Sequence, residues 1–218
     1  MKKIGVVLSG CGVMDGSEIH EAVLTLLAIA GESAEAVCMA PNAEQYHVVN
    51  HLTQQEMKEK RNVLVESARI ARGKIKDLKD VKAKDVDALI FPGGYGAAKN
   101  LSTFAFDGPD CKVDPEVARL AREVHEAGKP IGAICISPAL IAKIFQGKSV
   151  KLTVGTDPET AGAVQKMGHE HIACGVSETC VDLKNRIVTT PAYMLAQNIA
   201  EAYAGIKKLV AEVLRLIP

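Results

Sequence analysis

Short apolar runs alternate with segments of helical spacing along this chain. The runs are Ile4–Leu8, Ala36–Met39, Ala88–Phe91, Ile131–Ile134, Leu152–Val154 and Ile187–Thr190. Several are apolar on both faces, which predicts strands of a parallel sheet covered by helices on each side. Between the first two runs, Ile19, Val23, Leu26, Leu27 and Ala30 recur at helical spacing before Gly31. Val117, Leu120, Ala121 and Val124 repeat the pattern and stop at Gly128-Lys129-Pro130. Ile199, Ala202, Tyr203, Ile206, Val210, Val213 and Ile217 predict a long closing helix. Strand–helix alternation of this kind implies right-handed crossovers and a doubly wound α/β sheet.

Two regions break the rhythm. Residues 41–80 are rich in charge and read as an insertion with one helix around Val63–Ala71. Cys174–Val188 reads as an antiparallel excursion turning near Lys184-Asn185. No repeat, linker or low-complexity stretch divides the 218 residues, so a single domain spanning 1–218 is expected.

Ligands of open α/β sheets bind beyond the carboxyl ends of the strands. The first, third and fourth runs end in Ser9-Gly10-Cys11-Gly12, in Pro92-Gly93-Gly94-Tyr95-Gly96 and in Cys135, so these three segments should gather at one edge. In Gly132-Ala133-Ile134-Cys135-Ile136-Ser137-Pro138 a strand runs into Cys135 and a helix leaves it. A nucleophile elbow needs small residues two positions either side, and Ala133 and Ser137 supply them. The positive end of the following helix is expected to lower the thiol pKa. Glycines at 93 and 94 let the backbone approach a ligand, and the amides of Gly94 and Ile136 are candidate oxyanion donors. Glu18 is a candidate proton-transfer partner, with Asp15 and Glu21 as rival carboxylates. The simpler alternatives are a buried inert cysteine, a tight strand–helix turn and a first-turn acid behind a Ser17 cap.

Composition narrows the partners. Twenty-six basic residues balance 26 acidic ones, which gives no footprint for nucleic acid or an anionic membrane. No apolar run is long enough to span a bilayer. The basic then apolar N-terminus is too short in its apolar part for a signal peptide. Six irregularly spaced cysteines in a chain of this size read as reduced thiols of a cytoplasmic protein. Gly10-Cys11-Gly12-Val13-Met14-Asp15-Gly16 is a weak dinucleotide fingerprint, with acids where a pyrophosphate would sit. His169, His171 and Cys174 lack a fitting fourth zinc ligand and read as a surface loop. His20 and His125 fall in helical patterns and are expected to be solvated.

Several stretches together resemble the ElbB family: Glu18-Ile19-His20-Glu21-Ala22-Val23, Pro92-Gly93-Gly94, Gly96-Ala97-Ala98-Lys99-Asn100-Leu101, Cys135 with its flanks, and Thr189-Thr190-Pro191-Ala192-Tyr193-Met194-Leu195-Ala196-Gln197-Asn198. These bacterial proteins are labelled glyoxalases and described as enhancing lycopene or isoprenoid biosynthesis. They belong to the ThiJ/PfpI superfamily, with the fold of class I glutamine amidotransferases. The resemblance implies a flavodoxin-like three-layer sandwich with a mainly parallel sheet. It also implies a homodimer acting without cofactor or metal on a small dicarbonyl such as glyoxal or methylglyoxal, and an activity also read as protein deglycation. It places the nucleophile on Cys135 and the acidic partner on Glu18. Ile136 stands where many superfamily members carry His, and no His-x-Glu occurs around Thr190–Gln197. Amide hydrolysis, which needs a strong base beside the thiol, is therefore not expected. The alternative reading is a redox or stress-sensing interaction protein, linked to isoprenoid metabolism, that uses the same cysteine.

Overall fold

The computed structural model describes all residues, 1–218. Its strands and helices are, in chain order, β1 (Lys3–Val7), α1 (Ile19–Gly31), β2 (Glu35–Ala40), β3 (Val48–Asn50), β4 (Gln55–Met57), α2 (Val63–Ile70) and β5 (Ile75–Asp77). There follow β6 (Ala88–Phe91), α3 (Tyr95–Lys99), α4 (Phe104–Asp107), α5 (Pro115–Glu126), β7 (Ile131–Ile134) and α6 (Ser137–Ile144). The chain closes with β8 (Lys151–Leu152), α7 (Pro158–Lys166), β9 (Glu170–His171), β10 (Cys180–Asp182), β11 (Ile187–Thr190) and α8 (Ile199–Leu216).

Seven strands form the central sheet in the order β10-β11-β7-β6-β1-β2-β5. Every pairing is parallel except that of β10 with β11. Side chains alternate between the two faces. Val7, Leu89, Phe91 and Ile131 pack with Leu120, Val124 and Ile141 of α5 and α6. Ile4, Val6, Ile90 and Val188 pack with Ala22, Ile29, Leu209 and Val213 of α1 and α8. This is the expected three-layer sandwich with a mostly parallel sheet. No helix is long and apolar enough to cross a membrane.

The chain leaves β1 for β2 on one side and later enters β6 on the other side of β1. That reversal opens a crevice at the carboxyl ends of β1 and β6, the usual ligand position in such sheets. β7, which carries Cys135 at its end, lies next to β6.

Two local expectations need correction. Leu152–Val154 is not a strand of the main sheet, because β10 already occupies the free edge of β11. Instead β8 forms a two-stranded ribbon with β9. It is tied to the sheet through Lys151 N donating to Asp182 Oδ2 (2.9 Å) and Thr153 N to Thr189 Oγ1 (2.9 Å). The 41–80 insertion holds the expected helix, α2, but also the β3–β4 hairpin and the edge strand β5. With the sequence Ile-Lys-Asp, β5 has too little apolar alternation to be seen locally. The excursion from Cys174 does return antiparallel, as β10 onto β11.

Candidate functional site

Cys135 sits between β7 and α6 with φ of 62°, a left-handed conformation that is strained for a residue with a side chain. The surroundings fix it there. Its N–H donates to Thr190 O (3.0 Å) on β11, and Ser137 Oγ donates to Pro92 O (2.7 Å) at the end of β6. Pro138 lies in the first turn of α6, where its missing N–H is not needed. This strand–turn–helix is the geometry of a nucleophile elbow.

The glycines of the neighbouring loop are required by close approach. A Cβ on Gly93 would lie 2.5 Å from the Cys135 Cβ and 2.5 Å from Glu21 Oε2. Gly94 has φ of 95°, and its Cβ would lie 2.3 Å from the Glu18 nitrogen. Without side chains here, the backbone can bring the Gly94 amide onto the sulfur. The backbone amides of Gly94 and Ile136 favour the charged form of the Cys135 sulfur.

Two acids of α1 meet this loop in different ways. Glu18 is the N-cap itself, its carboxylate accepting from Glu21 N (2.6 Å), and it lines the pocket mouth. Ser17, expected to cap, instead accepts from Ser9 N (2.8 Å) within the buried seam behind the loop. Glu21, one turn on, is fully buried, and its Oε2 and the Cys135 sulfur both crowd the same face of Gly93, so that the thiol bears on its ionisation. Its Oε2 accepts from Gly93 N (2.9 Å) and its Oε1 from Tyr193 N (3.1 Å). The geometry therefore transfers the thiol's carboxyl partner from Glu18 to Glu21. Glu18 is the cap and Glu21 lies in the first turn, three residues apart, and only the packing of β6 and of the segment after β11 selects between them.

Burial raises the Glu21 carboxyl to about 8, and the nearby Glu18 adds to the rise against the backbone amides and the thiol. Burial also pushes the Cys135 thiol well up, with the Glu21 charge adding to it. The lowered thiol expected from the helix end is thus reversed, because desolvation outweighs the dipole and the two amides. Both groups are thus shifted toward their protonated forms. A neutral Glu21 acid can face the sulfur through its proton while its oxygens accept both backbone amides.

This has a consequence for stability. A carboxyl raised on folding binds more protons folded than unfolded, so stability falls as pH rises through its folded value. Histidines 125, 169 and 171 are lowered by burial from 6.5 and act in the opposite sense below that pH. The window above the histidines is therefore between about pH 6.5 and 8, where one proton corresponds to about 1.4 kcal/mol per pH unit. Urea melts are expected to show stability declining by about 1–2 kcal/mol across it. Most of this slope should disappear in Glu21→Gln, the remainder near pH 8 belonging to the buried thiols, which are also raised.

The other sequence candidates are placed as follows. The Gly10–Gly16 loop is covered by the insertion: Asp15 Oδ2 accepts from Val49 N (2.7 Å) and His51 Nε2 from Met14 N (3.2 Å). The Met14 amide of the loop is thereby already engaged. His169 is not in a surface loop. It is buried, with Nδ1 accepting from Val150 N (3.2 Å) and Nε2 2.8 Å from Ala142 O. His20 is exposed but engaged, its Nδ1 2.7 Å from the Tyr193 hydroxyl at the pocket rim. His125 is half-buried against Phe145. A cavity of about 730 Å³ opens from Cys135, Ile136, Gly94 and Glu18 toward α4 and α7. That extension had no local signal, because its walls are joined only by tertiary packing.

The DJ-1/PfpI family model matches residues 13–202. The human protein named glutamine amidotransferase-like class 1 domain-containing protein 3, mitochondrial, is 50% identical over 98% of this chain and 83% of its own length. The mitochondrial ES1 protein of Danio rerio is 36% identical over 98% of this chain and 85% of its own. A crystal structure of an isoprenoid biosynthesis protein with amidotransferase-like domain from Ehrlichia chaffeensis superposes with a TM-score of 0.91 at 40% identity. It covers 98% of this chain and 99% of that one. Glyoxalase III from Candida albicans shares the fold, with a TM-score of 0.63 at 16% identity over 100% and 98% of the two chains. The elbow cysteine, the sheet order and these matches lead to one assignment: the chain belongs to the DJ-1/PfpI family.

Proposed function

We propose that this protein is a cofactor-independent glyoxalase of the ElbB type, converting glyoxal or methylglyoxal to the 2-hydroxy acid. The observation that carries the reading is the arrangement around one sulfur: a buried carboxyl, two backbone amides, and Ile136 where a histidine would support hydrolytic chemistry.

In the mechanism, ionised Glu21 takes the Cys135 proton as the sulfur adds to the aldehyde carbon. The new oxygen lies against the amides of Gly94 and Ile136 and takes up the proton, giving a hemithioacetal. Glu21 then removes the proton from the hydroxyl-bearing carbon and returns it to the neighbouring carbonyl carbon through an enediol. The product is a thioester of the 2-hydroxy acid. Water cleaves it and restores the thiol, so the sum is dicarbonyl plus water to hydroxy acid. A carboxyl near 8 is matched to moving protons in both directions at neutral pH. Glu18 positions the first turn of α1, and with it Glu21, through its cap bond. The same hemithioacetal chemistry would act on glycated proteins.

The proposal treats residues 1–218 as one amidotransferase-like domain working as a homodimer, to be checked by light scattering. It places the protein in the cytoplasm. All six cysteines are free, which suits a reducing compartment, and the human and Danio rerio relatives are named as mitochondrial. The test is glycolate formation from glyoxal by purified protein after metal chelation and without glutathione. The expected result is turnover with Cys135 still reduced by intact mass. Selective oxidation of Cys135 under mild peroxide, together with negligible turnover, would transfer the function to redox sensing.

A further inference from the structure

The pocket is far larger than the chemistry of glyoxal requires. Its volume of about 730 Å³ falls within the range of sites for drug-sized ligands, about 300–1,000 Å³. The reacting groups occupy only its floor, where Cys135, Ile136 and Gly94 meet. The rest is a wall built by α4, the turn at Gly108–Pro109, and the face of α7 that carries Gly162 and Ala163. Phe104, Ala105, Pro109, Ala163 and Met194 make this extension largely apolar. The α7 side also carries charge. Asp157 is engaged in capping α7, accepting from Thr160 N (2.8 Å), while Glu159 and Lys166 are exposed.

From this we propose that the preferred substrate is a 2-oxoaldehyde bearing an extended apolar group, which lies along the wall between α4 and α7. The proposal rests on the carbonyl chemistry assigned to Cys135 and adds the substrate class. The reaction balances as before, the apolar group being a spectator: the thiol adds, one carbon-bound proton shifts, and water releases a longer 2-hydroxy acid. Glyoxal, lacking that group, would use the floor alone and leave the wall wet.

Gly162 provides a gentle test. A Cβ there meets nothing within 4 Å, and the residue lies inside α7 without a left-handed backbone. Gly162→Phe therefore projects a ring from a lining position whose Cβ has open space, and phenylalanine is a better helix former than glycine. The probes are glyoxal and 2-oxooctanal. Wild-type kcat/KM is expected to be at least about ten-fold higher for 2-oxooctanal, since a buried apolar group is recognised at this level. Gly162→Phe should remove about ten-fold of that value and leave glyoxal within about two-fold. Equal kcat/KM for the two probes in a wild-type protein active on glyoxal overturns the extended substrate alone. So does a Gly162→Phe variant that changes both probes equally or neither. Faster turnover of a glycated peptide than of 2-oxooctanal overturns it too, by giving the wall to a polypeptide. If wild type turns over neither aldehyde, the carbonyl reading itself falls and takes this refinement with it.

Discussion

Cys135→Ala is expected to lower kcat/KM for glyoxal by at least about 10³-fold, because the variant has no group to form the covalent adduct. The fold should persist. Alanine at φ of 62° carries the same backbone strain as cysteine, and the bonds that fix the elbow run through Cys135 N and Ser137 Oγ rather than the sulfur. A thermal melt close to wild type would separate lost chemistry from lost structure. Glycolate production within about ten-fold of wild type would remove Cys135 from the mechanism.

Glu21→Gln is the second large effect, a loss of about 10²–10⁴-fold, the usual value of a positioned acid–base group. Glutamine cannot move the proton. It also brings one NH₂ group against a backbone amide, Gly93 N or Tyr193 N, where the carboxyl offered two acceptors. One mispaired buried donor costs about 1–3 kcal/mol, so some destabilisation should accompany the kinetic loss. The pH profile distinguishes the two roles. Wild-type activity should rise as Glu21 ionises towards about 8, Glu21→Asp should keep a pH-dependent remnant, and Glu21→Gln should be flat. Glu18→Gln retains a side-chain oxygen for the cap bond and should stay within about ten-fold of wild type. The reverse outcome, with Glu18→Gln inactive and Glu21→Gln active, would return the proton to Glu18.

These two acids show where local pattern stops being informative. Glu18 and Glu21 share one helical turn and one charge, and spacing alone gives no ground for choosing between them. The choice is made by residues distant in sequence: Gly93, 72 positions away, and Tyr193, 172 positions away, whose amides clamp the Glu21 carboxyl. The direction of the thiol pKa failed for a related reason. A helix end is visible in sequence, but desolvation depends on what the rest of the chain places over the sulfur.

The sequence by itself determined the alternation of strand and helix, the two-sided burial of the sheet, and the elbow at Cys135 with its glycine-lined neighbour. Each depends on contacts a few residues apart or on the period of a single element, and these are written locally. Tertiary structure decided which acid reaches the thiol, that burial raises both the Glu21 carboxyl and the Cys135 thiol, and that Leu152 lies outside the main sheet. It also decided that β5 completes an edge and that α4 and α7 enclose a cavity beyond Cys135. Those outcomes arise from long-range pairing and burial, where free energy depends on the partner met in space and not on neighbours in the chain.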